Sequence, residues 1–237
     1  MKKITAYILF TAALFSCKKD NYDTPSVTLQ GSITYQGEPI NVSSKDVTFE
    51  LWQPGWGKNG AIIVNIKEDG SYSSLLYNGN YKLVIPRSQG PFLSVQNNET
   101  NTDTMLLQLT GNRTLNIEVL PFYMVRNAQF ALSGTTDISA SFKLEKIITD
   151  ARGRDIESIF LYLNQTDFVD GTNYIARTSL AGSDITDPDN ISMNVTIPAG
   201  ISANGASGSQ SYVYARIGVK ISGVEDLLFS PVQQVNL

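Results

Sequence analysis

The feature that most constrains this chain is the recurrence of short runs in which apolar and polar residues alternate, each closed by Gly, Asn, Asp, Ser or Pro. A period of two puts successive side chains on opposite faces of a strand, so one face can bury while the other stays wet. Leucine-rich runs at helical spacing do not occur, and the chain reads as all-β. "VTLQGSITYQGEPI" alternates at Val27, Leu29, Gly31 and Ile33 and turns at "QGEP". "DVTFELW" sets Val47, Phe49 and Leu51 against Thr48, Glu50 and Trp52. "AIIVNIKEDGSYSS" aligns Ile62, Val64 and Ile66 before an Asp69-Gly70 turn, and "NGNYKLVIP" aligns Tyr81, Leu83 and Ile85. "TMLLQL" and "TLNIEVL" complete a first unit over residues 27–120. The alternation stops at Leu120-Pro121, since proline cannot donate to a ladder.

Residues 121–237 form the second unit. Seven candidate strands follow one another: "FYMVRNAQFAL", "SASFKLEKI", "IESIFLYLN", "NYIARTSL", "NISMNVTIP", "SYVYARIGVKI" and "LLFSPVQQVNL". That number and spacing suit an immunoglobulin-like or fibronectin-like sandwich. The expected architecture is two β-sandwich domains in tandem, each large enough to bury its own core. The short join predicts that they pack together.

The first unit resembles the transthyretin-like (prealbumin-like), carboxypeptidase-regulatory-like β-sandwich. The resemblance rests on Gly31, Ile33, Gly37, Pro39, Asp69, Gly70, Tyr72, Gly79, Tyr81 and Leu83, with "QPGWGKNG" as an inserted loop. The tandem order, with "ISASFKLEKI", "LYLNQTDFV" and "YARIGVKISG", resembles a Bacteroidetes surface-lipoprotein family of unknown function. The resemblance implies an association with starch-utilisation-type glycan uptake systems. It carries over no catalytic residue.

The N-terminus "MKKITAYILFTAALFSC" has Lys2 and Lys3, an apolar run from Ile4 to Phe15, then Ser16-Cys17. That is the layout of a signal peptide, and the run is shorter than the roughly 20 residues a membrane span needs. "LFSC" resembles the bacterial lipobox, which implies a signal peptide over residues 1–17 and lipid on Cys17, the chain's one cysteine. Residues 18–26, "KKDNYDTPS", read as a tether. The expected location is the outer membrane, lipid-anchored and facing the exterior. Without Lys2 and Lys3 the 18 basic residues fall to 16 against 22 acidic ones, a balance that argues against a nucleic-acid partner. The chain contains no histidine, which removes Ser-His-Asp catalysis and His-ligated zinc. With Cys17 consumed by lipid, thiol chemistry and disulfides also go. No catalytic residue, cofactor or metal is expected.

The binding candidates are aromatic. Indoles stack on the C–H faces of sugar rings while carboxylates and amides bind the hydroxyls. Trp56 follows Pro54-Gly55 in a glycine-rich loop and is expected at the surface. Trp52 shares a strand face with Glu50 and is expected to be mostly covered, at the seam between domains, since large aromatics mostly bury. In the second unit, Phe160 and Tyr162 share one strand face and Tyr212 and Tyr214 another, with Arg216. On neighbouring strands these four would form one platform, unless a loop or the first domain covers it. Asp184, Asp187, Asp189 and Asn190 crowd one loop, where calcium chemistry and turn chemistry both fit. "DTM", Asp103 to Met105, resembles an acceptor for Bacteroidetes protein O-glycosylation. The functional expectation is a non-catalytic, glycan-binding accessory lipoprotein. The alternative is a scaffold that contacts an outer-membrane transporter complex and binds no glycan.

Overall fold

The computed structural model describes residues 23–44, 46–55, 60–95, 102–201 and 210–237. Cys17, the signal segment and Trp56 lie outside the described residues. Strand structure dominates, and the fold is the expected pair of sandwiches.

The first sandwich holds ten strands: β1 (Val27–Tyr35), β2 (Glu38–Pro39), β3 (Thr48–Trp52), β4 (Ile62–Asn65), β5 (Ser71–Leu76), β6 (Gly79–Val84), β7 (Phe92–Ser94), β8 (Met105–Leu109), β9 (Arg113–Thr114) and β10 (Ile117–Pro121). One sheet runs β2-β1-β10-β7, with β5 and β9 also on β1, and the other runs β4-β3-β6-β8. Their inner faces come from the alternation: Leu29, Ile33, Phe49 and Leu51 are fully buried, and Tyr81, Leu83, Leu107 and Leu109 pack against them. β1 is crossed closely by the chain after β9, and a Cβ on Gly31 would lie 1.9 Å from the Leu115 carbonyl oxygen. Only glycine fits there.

The second sandwich holds β11 (Tyr123–Ser133), β12 (Asp137–Lys146), β13 (Ile156–Asn164), β14 (Ala176–Ala181), β15 (Ile191–Thr196), β16 (Tyr212–Ile221), β17 (Leu228–Phe229) and β18 (Gln233–Asn236). The sheets are β11-β12-β15 and β14-β13-β16-β17, with β18 also on β16. The fourth strand pairs with the third, next to the sixth, which is the fibronectin-like arrangement. Ile159, Leu161 and Leu163 of β13 lie opposite Val219, Ile217 and Ala215 of β16, all fully buried. The seventh candidate strand is broken into β17 and β18 at Ser230-Pro231.

Between β10 and β11 stands one residue, Phe122, whose N–H donates to Pro91 O (3.1 Å) and whose carbonyl accepts from Ile147 N (3.0 Å). The domains also join edge to edge. Phe229 N donates to Asn41 O (3.0 Å), and the β16–β17 turn donates from Glu225 N to Ser88 O (2.8 Å) and from Asp226 N to Gln89 O (3.0 Å). One continuous apolar cluster runs through both sandwiches.

Candidate functional site

β3 positions the first functional group. Because Phe49 and Leu51 fill the core, Glu50 and Trp52 project from the outer face of the β4-β3-β6-β8 sheet. Trp52 is 36% exposed, and its indole N–H donates to Glu50 Oε2 at 2.8 Å. This corrects the expectation that Trp52 is covered at the domain seam. The seam is made by other elements, and the Glu50 bond satisfies the indole without burial. The strand ends there because Pro54-Gly55 turns, with Gly55 at φ 90°.

The register aligns a row across the sheet: Trp52 opposite Lys82 of β6, and Lys82 opposite Leu106 of β8, itself 55% exposed. The next position on each of those strands adds Asn80 opposite Gln108. The result is an open shelf with an aromatic face and a leucine, bordered by a carboxylate, an ammonium and two amides. Apolar surface for ring C–H groups and polar groups for hydroxyls thus stand side by side.

The C-terminal aromatics are arranged differently from the single platform expected. β13 and β16 are indeed neighbours, with Tyr162 opposite Arg216 and Asn164 opposite Tyr214. Yet the four rings form two pairs, Phe160 stacked on Tyr162 at 5.5 Å and Tyr212 edge-on to Tyr214 at 5.7 Å. Tyr162 is buried, against Phe229 and under the loop that carries Val169, and burial pushes its phenol up to about 12. It is thereby removed from any open platform. Phe160, Tyr212 and Tyr214 are half-buried. Arg177 lies over Phe160 and Tyr174, at 5.6 and 5.1 Å from the ring centres. Gly218 makes room for the packing: a Cβ there would stand 2.9 Å from both Phe229 and Tyr162.

The cover over this face is a group that the sequence reading treated only as a face-mate of the tyrosines. Arg216 is 1% exposed and spans both domains: Nε donates to Ser230 O (2.9 Å), Nη1 to Val169 O (3.1 Å), and Nη2 to Val42 O (3.2 Å) and Glu68 O (2.8 Å). Its guanidinium also lies over the Phe229 ring at 4.3 Å. Burial lowers its pKa to about 10, with Asp170 opposing that fall, so it stays charged near neutrality. Asp170 shapes the covering loop by accepting from Thr172 N, Thr172 Oγ1 and Asn173 N. Burial alone would raise its carboxyl, but these bonds outweigh burial and hold it below the ordinary aspartate value.

In the Asp184–Asn190 loop, Asp189 pairs with Lys143 (2.6 Å), and Asp187 Oδ1 accepts from Asp189 N (2.9 Å). Among the described residues no group of three acidic, histidine or cysteine side chains is placed to hold a metal ion. A cavity of about 640 Å³ beside this loop is bordered by two ion pairs, Lys143–Asp189 and Lys146–Asp155, and by Glu145, which pairs with Arg126.

The family described as a protein of unknown function (DUF3823), N-terminal domain, matches residues 27–120, and the domain of unknown function DUF3823_C matches residues 123–234. No curated protein is significantly similar to the chain. Among solved structures, a DUF3823 family protein from Bacteroides ovatus is 31% identical over 90% of this chain and 100% of its own, with a TM-score of 0.75. One from Parabacteroides merdae is 30% identical over the same shares, with a TM-score of 0.74. A "putative carbohydrate binding protein" from Bacteroides uniformis has a TM-score of 0.69 at 18% identity, again over 90% and 100%, a likeness of fold.

Proposed function

We propose, from the premise that the chain belongs to the DUF3823 family of unknown function, that it binds carbohydrate and catalyses no reaction. The observation that carries this reading is the outer-face shelf, where the exposed Trp52 is held by Glu50 beside Lys82, Leu106, Asn80 and Gln108. The carbohydrate-binding name of one structural neighbour is consistent with it. A neutral sugar ring would lie on the indole and Leu106, and its hydroxyls would meet the carboxylate, ammonium and amides. The protein is further proposed to be a cell-surface lipoprotein, attached through Cys17, that serves a polysaccharide-uptake system. The lipobox-like "LFSC" supports the anchor.

Two measurements test this. A glycan array probed with the soluble form lacking residues 1–17 should give hits that Trp52→Ala weakens at least about ten-fold, as loss of a central aromatic does in other interfaces. An array without hits, or hits indifferent to Trp52→Ala, overturns the shelf as the site. Cys17→Ala should move the full chain from the membrane fraction to the soluble one. Retention in membranes after a carbonate wash would refute the lipid anchor.

A further inference from the structure

β6 continues through Val84 towards Arg87, and β8 begins just after Asp103, which pairs with Arg87 at 2.9 Å. Here a cleft of about 820 Å³ opens between the two domains. Three guanidinium groups border it: Arg87 from the first domain, and Arg152 and Arg154 from the β12–β13 turn of the second. The chain as a whole has a net charge of −4, so three guanidinium groups gathered at one cleft run against its overall balance. Among the described residues that line the cleft, Asp103 is the one acidic residue.

The charges are differently placed. Arg152 is held by Asp150 through Nε and Nη2. Arg154 donates to two backbone carbonyls, Ser222 O and Gly223 O, and lies over the Phe122 ring, so its charge meets no carboxylate among the described residues. A guanidinium carries five donors in a planar fork suited to two oxygens of an anion. Ser88 on the rim has φ 64°, a conformation costly for a residue with a side chain, and it is held there by the bond that Glu225 N makes to its carbonyl. Strain of this kind collects where a surface is shaped for binding.

We infer that this cleft takes an oxyanion substituent, a carboxylate or a sulfate, of a sugar chain whose neighbouring residues lie on the Trp52 shelf. The inference rests on the carbohydrate-binding reading above. The geometry favours one ligand over two: Arg87 lies five steps along the chain from Lys82, which at roughly 3.3 Å per extended residue is at most about 17 Å, within the reach of a short oligosaccharide.

Isothermal titration tests it with oligogalacturonate, its carboxyl-reduced counterpart and a chondroitin sulfate oligosaccharide. A charged probe should bind the wild type about ten-fold tighter than the reduced one, with the preference shrinking as salt rises, and the favoured probe identifies the anion. The Arg154→Gln variant, which removes the guanidinium that has no carboxylate partner among the described residues, should lose that preference and keep its affinity for the reduced probe. Arg154 is half-buried, and Gln keeps an N–H donor for the Ser222 and Gly223 carbonyls, so the fold should tolerate the change, as a thermal melt checks. Trp52→Ala should weaken charged and reduced probes alike. Equal binding of charged and reduced probes, or a preference that survives in the Arg154 variant, overturns the cleft and leaves the shelf standing. No binding of any probe by the wild type overturns both.

Discussion

Asp226 is the residue whose surroundings fit its charge least. It sits in the β16–β17 turn, where the backbone docks on the first domain, and its Oδ2 is buried with no hydrogen-bond partner among the described residues. Burial raises its pKa to about 6, and Asp46 and Glu225 add to the rise while Lys220 opposes it. The unfolded chain would titrate near 3.8, so between about 3.8 and 6 the folded state binds more protons than the unfolded one. The sign follows: stability falls as pH rises through that window, and the penalty is complete above it. Since the group is half in solvent, screening reduces the penalty to about 1 kcal/mol. Asp226→Asn should therefore unfold at a higher temperature than the wild type at pH 7.5 and at the same temperature below pH 4. A gain that is constant across a pH series of thermal melts would show that the carboxylate's charge is not its cause.

At the scale of elements, alternation made most of the strands legible. Val47, Phe49 and Leu51 point inward and Glu50 and Trp52 outward, as period two requires. The tight turn at Pro54-Gly55 and the break of the last strand at Pro231 follow from residues with restricted or permissive backbones. Burial of the outward faces was not legible, because it depends on what comes from elsewhere in the chain. Tyr162 and Trp52 are both outward-facing aromatics in their strands, yet one is covered and the other open. The difference is the loop shaped by Asp170, together with carbonyls 42 and 68 of the other domain, all drawn over β16 by Arg216. A charged residue inside "YVYARIGVKI" was the available signal, since arginine is rarely buried unless paired. The cleft arginines gave no signal at all: Arg87 and Arg152 are far apart in sequence and ordinary in composition.

At the scale of the whole molecule, that same arginine adds side-chain bonds across the domain boundary to the backbone bonds and apolar cluster that already join the sandwiches. Removing it would take the guanidinium donor from the carbonyl oxygens of Val42, Val169 and Ser230 and leave Glu68 O only the Val42 N–H at 3.3 Å. Arg216→Met keeps most of the volume and should still cost about 3–5 kcal/mol, the range for breaking one side of a buried polar contact. Because the lost bonds cross the domain boundary, the wild type should unfold in one calorimetric transition and the variant in two. A variant that melts within about 2 °C of the wild type, in one transition, would show that the seam is held by backbone bonds and apolar contact alone, since a loss of 1 kcal/mol shifts domains of this size by roughly that much or more.

Phe122 stands alone between the sandwiches, hydrogen-bonded on both sides, and so leaves no hinge. On the proposed reading, a polymer meets two grips set in a rigid frame. A fragment that reaches only one grip is held by that one. A fragment that spans both has its second end delivered at high effective concentration, with no cost for bringing domains together. Such a frame works as a gauge, sorting sugar chains by length before it sorts them by chemistry.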